Sequence, residues 1–289
     1  MLTRRSLLAA AGGALGLAAF ARAATAGRVL VLGGDLAEIV FALGAGARVI
    51  AADDTALWPP EAEALPKVGY LRRISAEGVM SLAPDLVLAS PVAGPATAMD
   101  QMRAAGLEIA VGPEGDGFAV VPEKIAFVGA ALGLQAEAAA LAARVEAEMA
   151  SVELALAGLP DRPSVLFLIS VANGTPIAAG SGTAADAMIE LAHGRNAATG
   201  FEGYRPLSIE AAIGFAPEAV LLPDHAAAAA GGGAAAVAAV GLAETPAARA
   251  GRILVMDGLK LLGFGPRTPA AVTELARALH PDTAAQLKI

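Results

Sequence analysis

The chain has 289 residues, a formal net charge of −8 and no cysteine, and 56% of its residues are hydrophobic while 17% are charged. This balance excludes an intrinsically disordered chain, which cannot bury enough apolar surface to fold. The absence of cysteine excludes disulfides, thiolate metal ligands, thiol nucleophiles and a lipid anchor on an N-terminal cysteine. The acidic charge argues against nucleic-acid binding, which needs a basic face. We therefore expect an alanine-rich globular protein of about two domains.

The N-terminal segment has the three parts of an export signal. Two arginines precede an apolar run that reaches Phe20, and small-residue motifs end at Ala23 and Ala26. This order predicts a signal peptide over residues 1–26, cleaved after Ala23 or Ala26. The arginine pair resembles a twin-arginine signal, with Sec export as the alternative. A membrane anchor is the other interpretation, but the run is shorter than the ~20 residues of a usual span. Cleavage would remove three arginines and no acid, so the charge would become −11.

Strands and helices alternate in the next part of the chain, which predicts an α/β lobe with a largely parallel sheet over residues 27–134. Asp35 is in a position to cap the first helix. The predicted strands are Arg28–Leu32, Val49–Ala52, Leu86–Ala89 and Leu107–Val111, and the predicted helices are Asp35–Leu43, Ser75–Leu82, Thr97–Ala105 and Pro122–Leu132.

One uninterrupted helical stretch follows this lobe. Residues 135–157 contain no Gly or Pro, and Gly158 and Pro160 then give a stop signal. The alternation restarts over residues 158–289, so the predicted fold class is α/β, with two lobes that each have a mostly parallel central sheet and are joined by a single long α-helix. The predicted elements there are strands Val165–Ile169, Ala219–Leu222 and Arg252–Met256, helices Ala184–Ala192, Ile209–Phe215 and Thr268–Leu279, and an Ala/Gly-rich loop running into a helix over Ala226–Ala239.

An internal repeat relates the two lobes. Residues 74–88 align with residues 207–221 at a constant offset of 133, with six identical positions. In both copies a serine can cap a helix, and Glu77 or Glu210 lies in the first turn, where the helix dipole favours an acid. A proline then ends the helix before a buried strand. This repetition predicts a duplicated lobe, which a single active site would not need.

Several motifs carry a family resemblance: Val68-Gly-Tyr-Leu-Arg-Arg-Ile-Ser-Ala-Glu-Gly78, Leu262-Gly-Phe-Gly-Pro-Arg-Thr-Pro269, and residues 82–88, 179–186 and 203–208. With them, residues 27–289 resemble the class III periplasmic solute-binding proteins of the iron-compound and vitamin B12 type, most of all their haem-binding branch. The resemblance implies a ligand cleft between two α/β lobes, haem b as the transported ligand and no catalysis. It also implies a monomeric periplasmic protein, without a lipid anchor, that delivers haem to an inner-membrane ABC permease dimer.

The resemblance also implies roles for individual residues. Tyr70 would be the axial ligand of the haem iron, because ferric iron favours an anionic oxygen. Arg72 and Arg73 would stabilise the tyrosinate or pair with a haem propionate. Some family members have a second-lobe histidine that residues 169–173 lack, which argues against a second axial ligand there and against stacked haems. The remaining candidates are Tyr204, Arg205, His225 and Arg267 for the cleft wall, and Glu77 and Glu210 for docking to the permease.

Two other functions remain open at this point. A ferric siderophore or cobalamin would suit the same superfamily, although Trp58 is the only tryptophan and a Trp-rich cobalamin cleft is not expected. A nucleotide-binding Rossmann-type enzyme would explain Gly33-Gly34 after a strand, with Asp53 about 20 residues on. However, the G-x-G-x-x-G pattern is absent, and Asp35 would repel a pyrophosphate.

Overall fold

The computed structural model describes residues 27–282, so the predicted signal peptide lies outside the described residues. These residues form two compact units. Unit 1 contains the chain up to Gly115 together with Val120–Arg144, and unit 2 contains Asp116–Ala119 and the chain from Val145 onward. Each unit has its own sheet, and the predicted two-lobed α/β fold class is confirmed. Within residues 27–282, no helix combines the length and apolar character needed to cross a membrane.

Unit 1 is built on a parallel four-stranded sheet. Its strands are β1 (Val29–Leu32), β2 (Val49–Ala52), β3 (Leu86–Ala89) and β4 (Ile109–Val111). They lie in the order β2-β1-β3-β4, and every pairing is parallel. All residues of β1 and β3 are buried, as expected for central strands with both faces covered. The predicted strands therefore exist, the last one starting two residues later than expected.

Helices of unit 1 follow the strands in alternation, as predicted. The first of them begins at Gly34, with Gly33 at the cap position and no side-chain cap, so Asp35 is not the predicted capping residue. Its carboxylate instead lies 2.6 Å from the Lys124 ammonium, and both side chains are largely buried. This ion pair fastens the first helix to the last. The helices are α1 (Gly34–Ala42), α2 (Pro60–Glu63), α3 (Ala76–Ser81), α4 (Ala96–Ala104) and α5 (Val120–Leu132).

The long predicted helix is α6 (Gln135–Leu156), which ends one residue earlier than expected. The boundary between the two units falls inside it, after Arg144. One face of α6 is buried at the three- and four-residue spacing of an amphipathic helix, so packing rather than propensity fixes its position. The residues of that face are Ala138, Leu141, Val145, Met149, Val152 and Leu156.

Unit 2 has a mixed sheet. Its strands are β5 (Ser164–Ser170), β6 (Ile177–Ala179), β7 (Arg195–Asn196), β8 (Tyr204–Pro206), β9 (Ala219–Pro223) and β10 (Ile253–Met256). The order is β10-β9-β5-β6-β8, with β7 beside β5. Strands β10, β9 and β5 are parallel, as predicted, whereas β6 and β8 are antiparallel additions that the sequence pattern did not indicate. Each has three residues, too few for a recognisable alternation, and Pro206 fits only the edge position it occupies.

Helices of unit 2 include one that corrects the sequence prediction. The Ala/Gly-rich stretch was expected to begin as a loop, but its start is helical, because alanine favours helix wherever no breaker intervenes. The chain turns only at Gly231 and Gly232, which have φ values of 83° and 123°. The helices are α7 (Ala184–Leu191), α8 (Ile209–Gly214), α9 (Asp224–Ala229), α10 (Gly233–Ala239), α11 (Pro246–Arg249), α12 (Gly258–Leu262) and α13 (Thr268–Leu279).

The repeat has the same local structure in both units. At the start of α3 the Ser75 hydroxyl accepts a hydrogen bond from the Gly78 N–H, and at the start of α8 the Ser208 hydroxyl accepts one from the Ala211 N–H, both at 3.2 Å. An alanine follows each helix, with φ of 43° in unit 1 and 46° in unit 2. The duplicated sequence therefore specifies a duplicated cap, helix and exit turn.

An acid at the end of the repeat fastens the first strand of each unit. Asp85 accepts hydrogen bonds from the backbone N–H groups of Gly27 and Arg28, at 3.1 and 3.0 Å, immediately before β1. Glu218 accepts them from the N–H and hydroxyl of Ser164, at 2.7 and 3.0 Å, where β5 begins. Both carboxylates thus accept hydrogen bonds from N–H groups at a strand end that would otherwise bond to water.

Replacing Glu218 by Gln is expected to lower the free energy of unfolding at neutral pH by about 1 kcal/mol, because a charged acceptor is stronger than an amide and the group is partly exposed. Thermal unfolding should report this as roughly 2–4 °C. The hydrogen bonds from Ser164 hold the pKa of the Glu218 carboxyl below its ordinary value of 4.5. The stabilisation is therefore present above that ordinary value and is lost as the pH falls through the lowered one, where the two proteins should converge.

The matched control is Glu153→Gln on α6, at an exposed position. It should leave the melting temperature unchanged throughout the pH series. A difference between wild type and Glu218→Gln that stays constant into strong acid would contradict the role given to the carboxylate charge.

Candidate functional site

Loops that follow parallel strands meet at the carboxyl edge of the sheet, where α/β proteins usually place ligand-binding groups. In unit 1 this edge carries a long segment between β2 and α3 and a shorter one between β3 and α4. Tyr70 lies in the long segment, directly before a 3-10 turn formed by Leu71–Arg73.

The Tyr70 ring points away from the core of unit 1, whereas the apolar residues that follow it are buried. Leu71 and Ile74 are buried in the core of unit 1, whereas Tyr70 is 43% exposed. Gly69 precedes it with a φ of 99°, a conformation that strongly favours glycine. The guanidinium carbon of Arg73 lies 5.7 Å from the centroid of the Tyr70 ring, within the range of a cation–π contact. The phenol is therefore exposed and accompanied by a cation.

Arg72, two residues after Tyr70 in the chain, is also exposed. Within residues 27–282, no hydrogen bond or ion pair engages the guanidinium groups of Arg72 and Arg73 or the hydroxyl of Tyr70. Guanidinium groups bind carboxylates well, and a phenol oxygen can bind a ferric ion. This segment can thus bind a ligand that has both a metal centre and acidic groups.

Backbone hydrogen bonds join the Tyr70 segment to the rest of the edge. The Leu71 carbonyl accepts from the Gly94 N–H at 3.0 Å, and the Gly94 carbonyl accepts from the Ile74 N–H at 2.8 Å. The Gly69 carbonyl accepts from the Asp54 N–H at 2.9 Å. The segments after β2 and β3 are therefore one hydrogen-bonded structure.

Asp53 lies at the base of this structure, immediately after β2, and is fully buried. Its carboxylate accepts hydrogen bonds from the N–H of Gly33 at 2.7 Å and of Thr55 at 2.8 Å. Burial raises the pKa of the Asp53 carboxyl, and the hydrogen bonds from Thr55 and Gly33 oppose that rise. The Gly34 N–H donates to the Thr55 hydroxyl at 2.9 Å. The side chains of Asp53 and Thr55 thus accept hydrogen bonds from the N–H groups of Gly33 and Gly34, which a Rossmann enzyme would direct at a pyrophosphate.

Exposed apolar side chains cluster at the same edge. Leu57 and Trp58 follow β2, Val92 follows β3, and Val111 ends β4, and each is 42–50% exposed. Like Tyr70, they are exposed on segments at or beyond the carboxyl ends of the strands, and exposed apolar side chains of this kind are typical of a site for a partly apolar ligand. The sequence analysis did not select them, although an apolar pair directly before Pro59-Pro60 in a strand-following loop was a usable signal.

In unit 2, two of the other candidates lie together at the carboxyl edge of β9 and β10. His225 follows Asp224, whose carboxylate accepts a hydrogen bond from the Gly258 N–H at 3.1 Å. Arg267 donates to the Asp257 carboxylate at 3.3 Å. The His225 side chain is 64% exposed and that of Arg267 only 20%. His225 is thus accessible to a ligand, whereas Arg267 is held against the protein.

Tyr204 and Arg205 do not join this pair. They lie on β8, opposite Ala179 and Ala178 of β6, at the other end of the sheet from β10. Tyr204 is 41% exposed, and the Arg205 guanidinium donates to the Glu202 carbonyl at 3.4 Å. The secondary candidates of unit 2 are therefore two separate groups.

Glu77 and Glu210 are exposed in the first turns of α3 and α8. Each follows a capping serine of the repeat, so both carboxylates occupy equivalent places in their units. In the part of the chain that the structure describes, no group of three or more histidine and acidic side chains is arranged to hold a metal ion.

Comparison with known proteins decides the family. Residues 29–258 match the family described as periplasmic binding protein. The chain belongs to this family. The predicted membership of the class III periplasmic solute-binding proteins is thereby confirmed.

This periplasmic binding protein is similar to solved structures over nearly its whole length. The periplasmic heme-binding protein BhuT, solved in complex with two hemes, is 45% identical, with a TM-score of 0.82 over 88% of this chain and 98% of that chain. The periplasmic heme-binding protein RhuT from Roseiflexus sp. RS-1, in apo form, is 42% identical, with a TM-score of 0.85 over 89% and 98%. An uncharacterized ABC transporter substrate-binding lipoprotein, YvrC of Bacillus subtilis (strain 168), is 28% identical over 249 residues, 85% of this chain and 77% of that protein.

Replacing Asp53 by Ala is expected to destabilise this binding protein by about 2–4 kcal/mol, because the N–H groups of Gly33 and Thr55 lose their acceptor in the buried base of the loop. The midpoint of urea unfolding measures the effect. Asp54→Ala, at the exposed neighbouring position, is the control and should stay within about 0.5 kcal/mol of wild type. Equal losses in the two variants would refute the role assigned to the buried carboxylate.

Proposed function

We propose that this protein binds haem b in the periplasm as a monomeric carrier without catalytic activity, and delivers it to an ABC-type inner-membrane importer. The observation that carries the proposal is the exposed Tyr70 phenol beside Arg72 and Arg73, on an edge that also exposes Leu57 and Trp58. Ferric haem has an iron that takes an anionic oxygen, propionates that pair with guanidinium groups and an apolar ring. Each part of haem therefore has a partner on this edge.

Sequence similarity supports the same ligand. The two similar proteins at 45% and 42% identity are both heme-binding proteins, and the similarity extends over 88% and 89% of this chain. The ABC transporter relative supports a permease as the partner. No observation on this edge favours a ferric siderophore or cobalamin over haem.

Tyr70 is the proposed iron ligand because of its surroundings, since the chain has only two tyrosines and both are exposed. Tyr70 lies in a carboxyl-edge segment and has the Arg73 guanidinium near its ring, whereas Tyr204 starts an antiparallel strand. We expect one haem per protein, since residues 169–173 contain no histidine. If a second haem bound, as in BhuT, the accessible His225 would be the candidate for its ligand.

A haemin titration followed by absorbance tests the ligand and the role of Tyr70 together. The wild type should bind about one equivalent and show a ferric, high-spin, tyrosinate-type spectrum. Tyr70→Phe should lose that spectrum and bind roughly tenfold or more weakly, whereas Tyr204→Phe should keep the spectrum. Unchanged spectrum and affinity in Tyr70→Phe would mean that another group holds the iron.

The same titration separates the alternative ligands. Cobalamin and a ferric siderophore are added to the wild type in parallel, and neither should bind or compete with haemin. A protein that took up the siderophore but not haemin would refute the haem assignment and leave the family membership intact.

Glu77 and Glu210 are the proposed contacts with the permease. Their equivalent places in the repeat suit a partner with two equivalent basic surfaces, and complementary charges mainly accelerate association. The mature charge of −11 is compatible with such a partner.

Charge reversal at these positions is expected to separate docking from ligand binding. Glu77→Lys and Glu210→Lys should leave haemin affinity unchanged and reduce haem-stimulated ATP hydrolysis by the reconstituted permease about two- to tenfold each. The matched control is Glu137→Lys, another exposed first-turn glutamate, on α6 but outside the repeat. Equal losses in all three variants would point to a general charge effect instead of docking.

A further inference from the structure

We propose that the loop bearing Leu57 and Trp58 is a contact surface for the face of the porphyrin ring, with Lys67 as the residue that positions it. This inference rests on the proposed function and deepens it: Tyr70 would hold the iron, and Trp58 would recognise the ring independently of the metal.

The loop is fixed at both ends. Ala56 and Ala62 are fully buried, and the residues between them include Leu57 at 50% and Trp58 at 42% exposure. The Lys67 ammonium donates to the Ala56 carbonyl at 2.7 Å and to the Ala62 carbonyl at 3.0 Å. One cation thus joins the two buried ends and makes the apolar residues between them a closed, outward-facing loop.

The loop runs beside the segment that carries Tyr70. The Ala52 N–H donates to the Pro66 carbonyl at 3.0 Å, and the Ala52 carbonyl accepts from the Val68 N–H at 3.0 Å. One step further on, the Asp54 N–H donates to the Gly69 carbonyl at 2.9 Å. Two adjacent loop segments are therefore hydrogen-bonded at this edge of the sheet. One leads to the Trp58 indole and the other to the Tyr70 phenol.

A porphyrin is the occupant that this chemistry favours. Indole and aliphatic side chains at roughly half exposure leave apolar area that a large planar ring can cover, and aromatic rings add a specific stacking attraction. Val92 is exposed as well, on the loop whose Gly94 is hydrogen-bonded to Leu71 and Ile74 of the Tyr70 segment. The proposed docking positions for the permease differ from this loop, since Glu77 and Glu210 are acidic and lie in the first turns of the repeat helices.

Iron-free protoporphyrin IX separates ring recognition from iron coordination. Trp58→Ala should weaken binding of haemin and of protoporphyrin IX by a similar factor, about 5- to 30-fold. Tyr70→Phe should weaken haemin and leave protoporphyrin IX almost unchanged. The matched control is Leu154→Ala on α6, where an apolar side chain is 80% exposed outside this loop, and neither ligand should be affected.

Trp58 also reports on the positioning role, because it is the only tryptophan of the chain. Lys67→Met should shift the tryptophan emission of the ligand-free protein and weaken protoporphyrin IX binding several-fold, and Lys67→Arg should restore both. Melting temperatures of all variants are measured alongside, so that a loss of folding is not mistaken for a loss of contact.

The outcomes distinguish this inference from the function on which it rests. Wild-type haemin binding with unchanged affinity in Trp58→Ala would overturn the inference and leave the proposed function standing. Wild-type protein that binds haemin but not protoporphyrin IX would overturn it as well, since ring recognition would then depend on iron. Wild-type protein that binds neither would overturn both.

Discussion

The geometry of unit 1 depends on one buried carboxylate. Asp53 directly follows β2, and its carboxylate accepts hydrogen bonds from the N–H of Gly33, which directly follows β1, and from the N–H of Thr55 in its own loop. Because the group is removed from water, no solvent molecule can replace these bonds, and a loop lacking them would leave polar groups unsatisfied. The chain beyond β2 is therefore fixed in direction at its first residue. The position of the exposed segment that carries Tyr70 therefore depends on the buried hydrogen bonds of Asp53.

The two units share their framework and differ at the carboxyl edges of their sheets. In both, a serine caps the repeat helix, and an acid fastens the start of the first strand, Asp85 before β1 and Glu218 at β5. The carboxyl edges have no such correspondence, since unit 1 has a phenol with cations and unit 2 has His225 beside Asp224. Duplication thus explains the elements that build each unit. On the proposed function, the ligand has one polar edge and one metal, so the carboxyl edges of the two units need not be equivalent.

Local patterns were sufficient for elements whose stability is local or whose burial is complete. The apolar runs at β1 and β3 and the breaker-free stretch of α6 were predicted to within one or two residues for this reason. Strands β6 and β8 have three residues each. They form because β6 pairs with β5 and with β8, and a short stretch of sequence does not include the partner strands. The start of the Ala/Gly-rich stretch was misjudged because low complexity was taken for irregularity, whereas alanine forms the helix α9.

The candidate site divides in the same way. Tyr70, Arg72 and Arg73 lie within four consecutive residues, so the sequence alone predicts that they are near one another. The 3-10 turn then sets the orientation of their side chains. The Lys67 bonds to Ala56 and Ala62 join positions 11 and 5 residues away, and they depend on a chain path that the sheet defines. Periodicity and motif cannot show such a contact.

A carrier must hold its ligand and then release it, which limits how the binding free energy can be distributed. A cage of several ligands around the iron would make release require breaking several strong bonds at once. On the proposed function, a single phenolate bond acts together with many weak contacts between the ring and an exposed loop. Dispersion and hydrophobic contacts of this kind are individually small and are lost gradually as the ring slides out. The loop closed by Lys67 is then as important to delivery as Tyr70 is to capture, because it adds affinity that can be given up in steps.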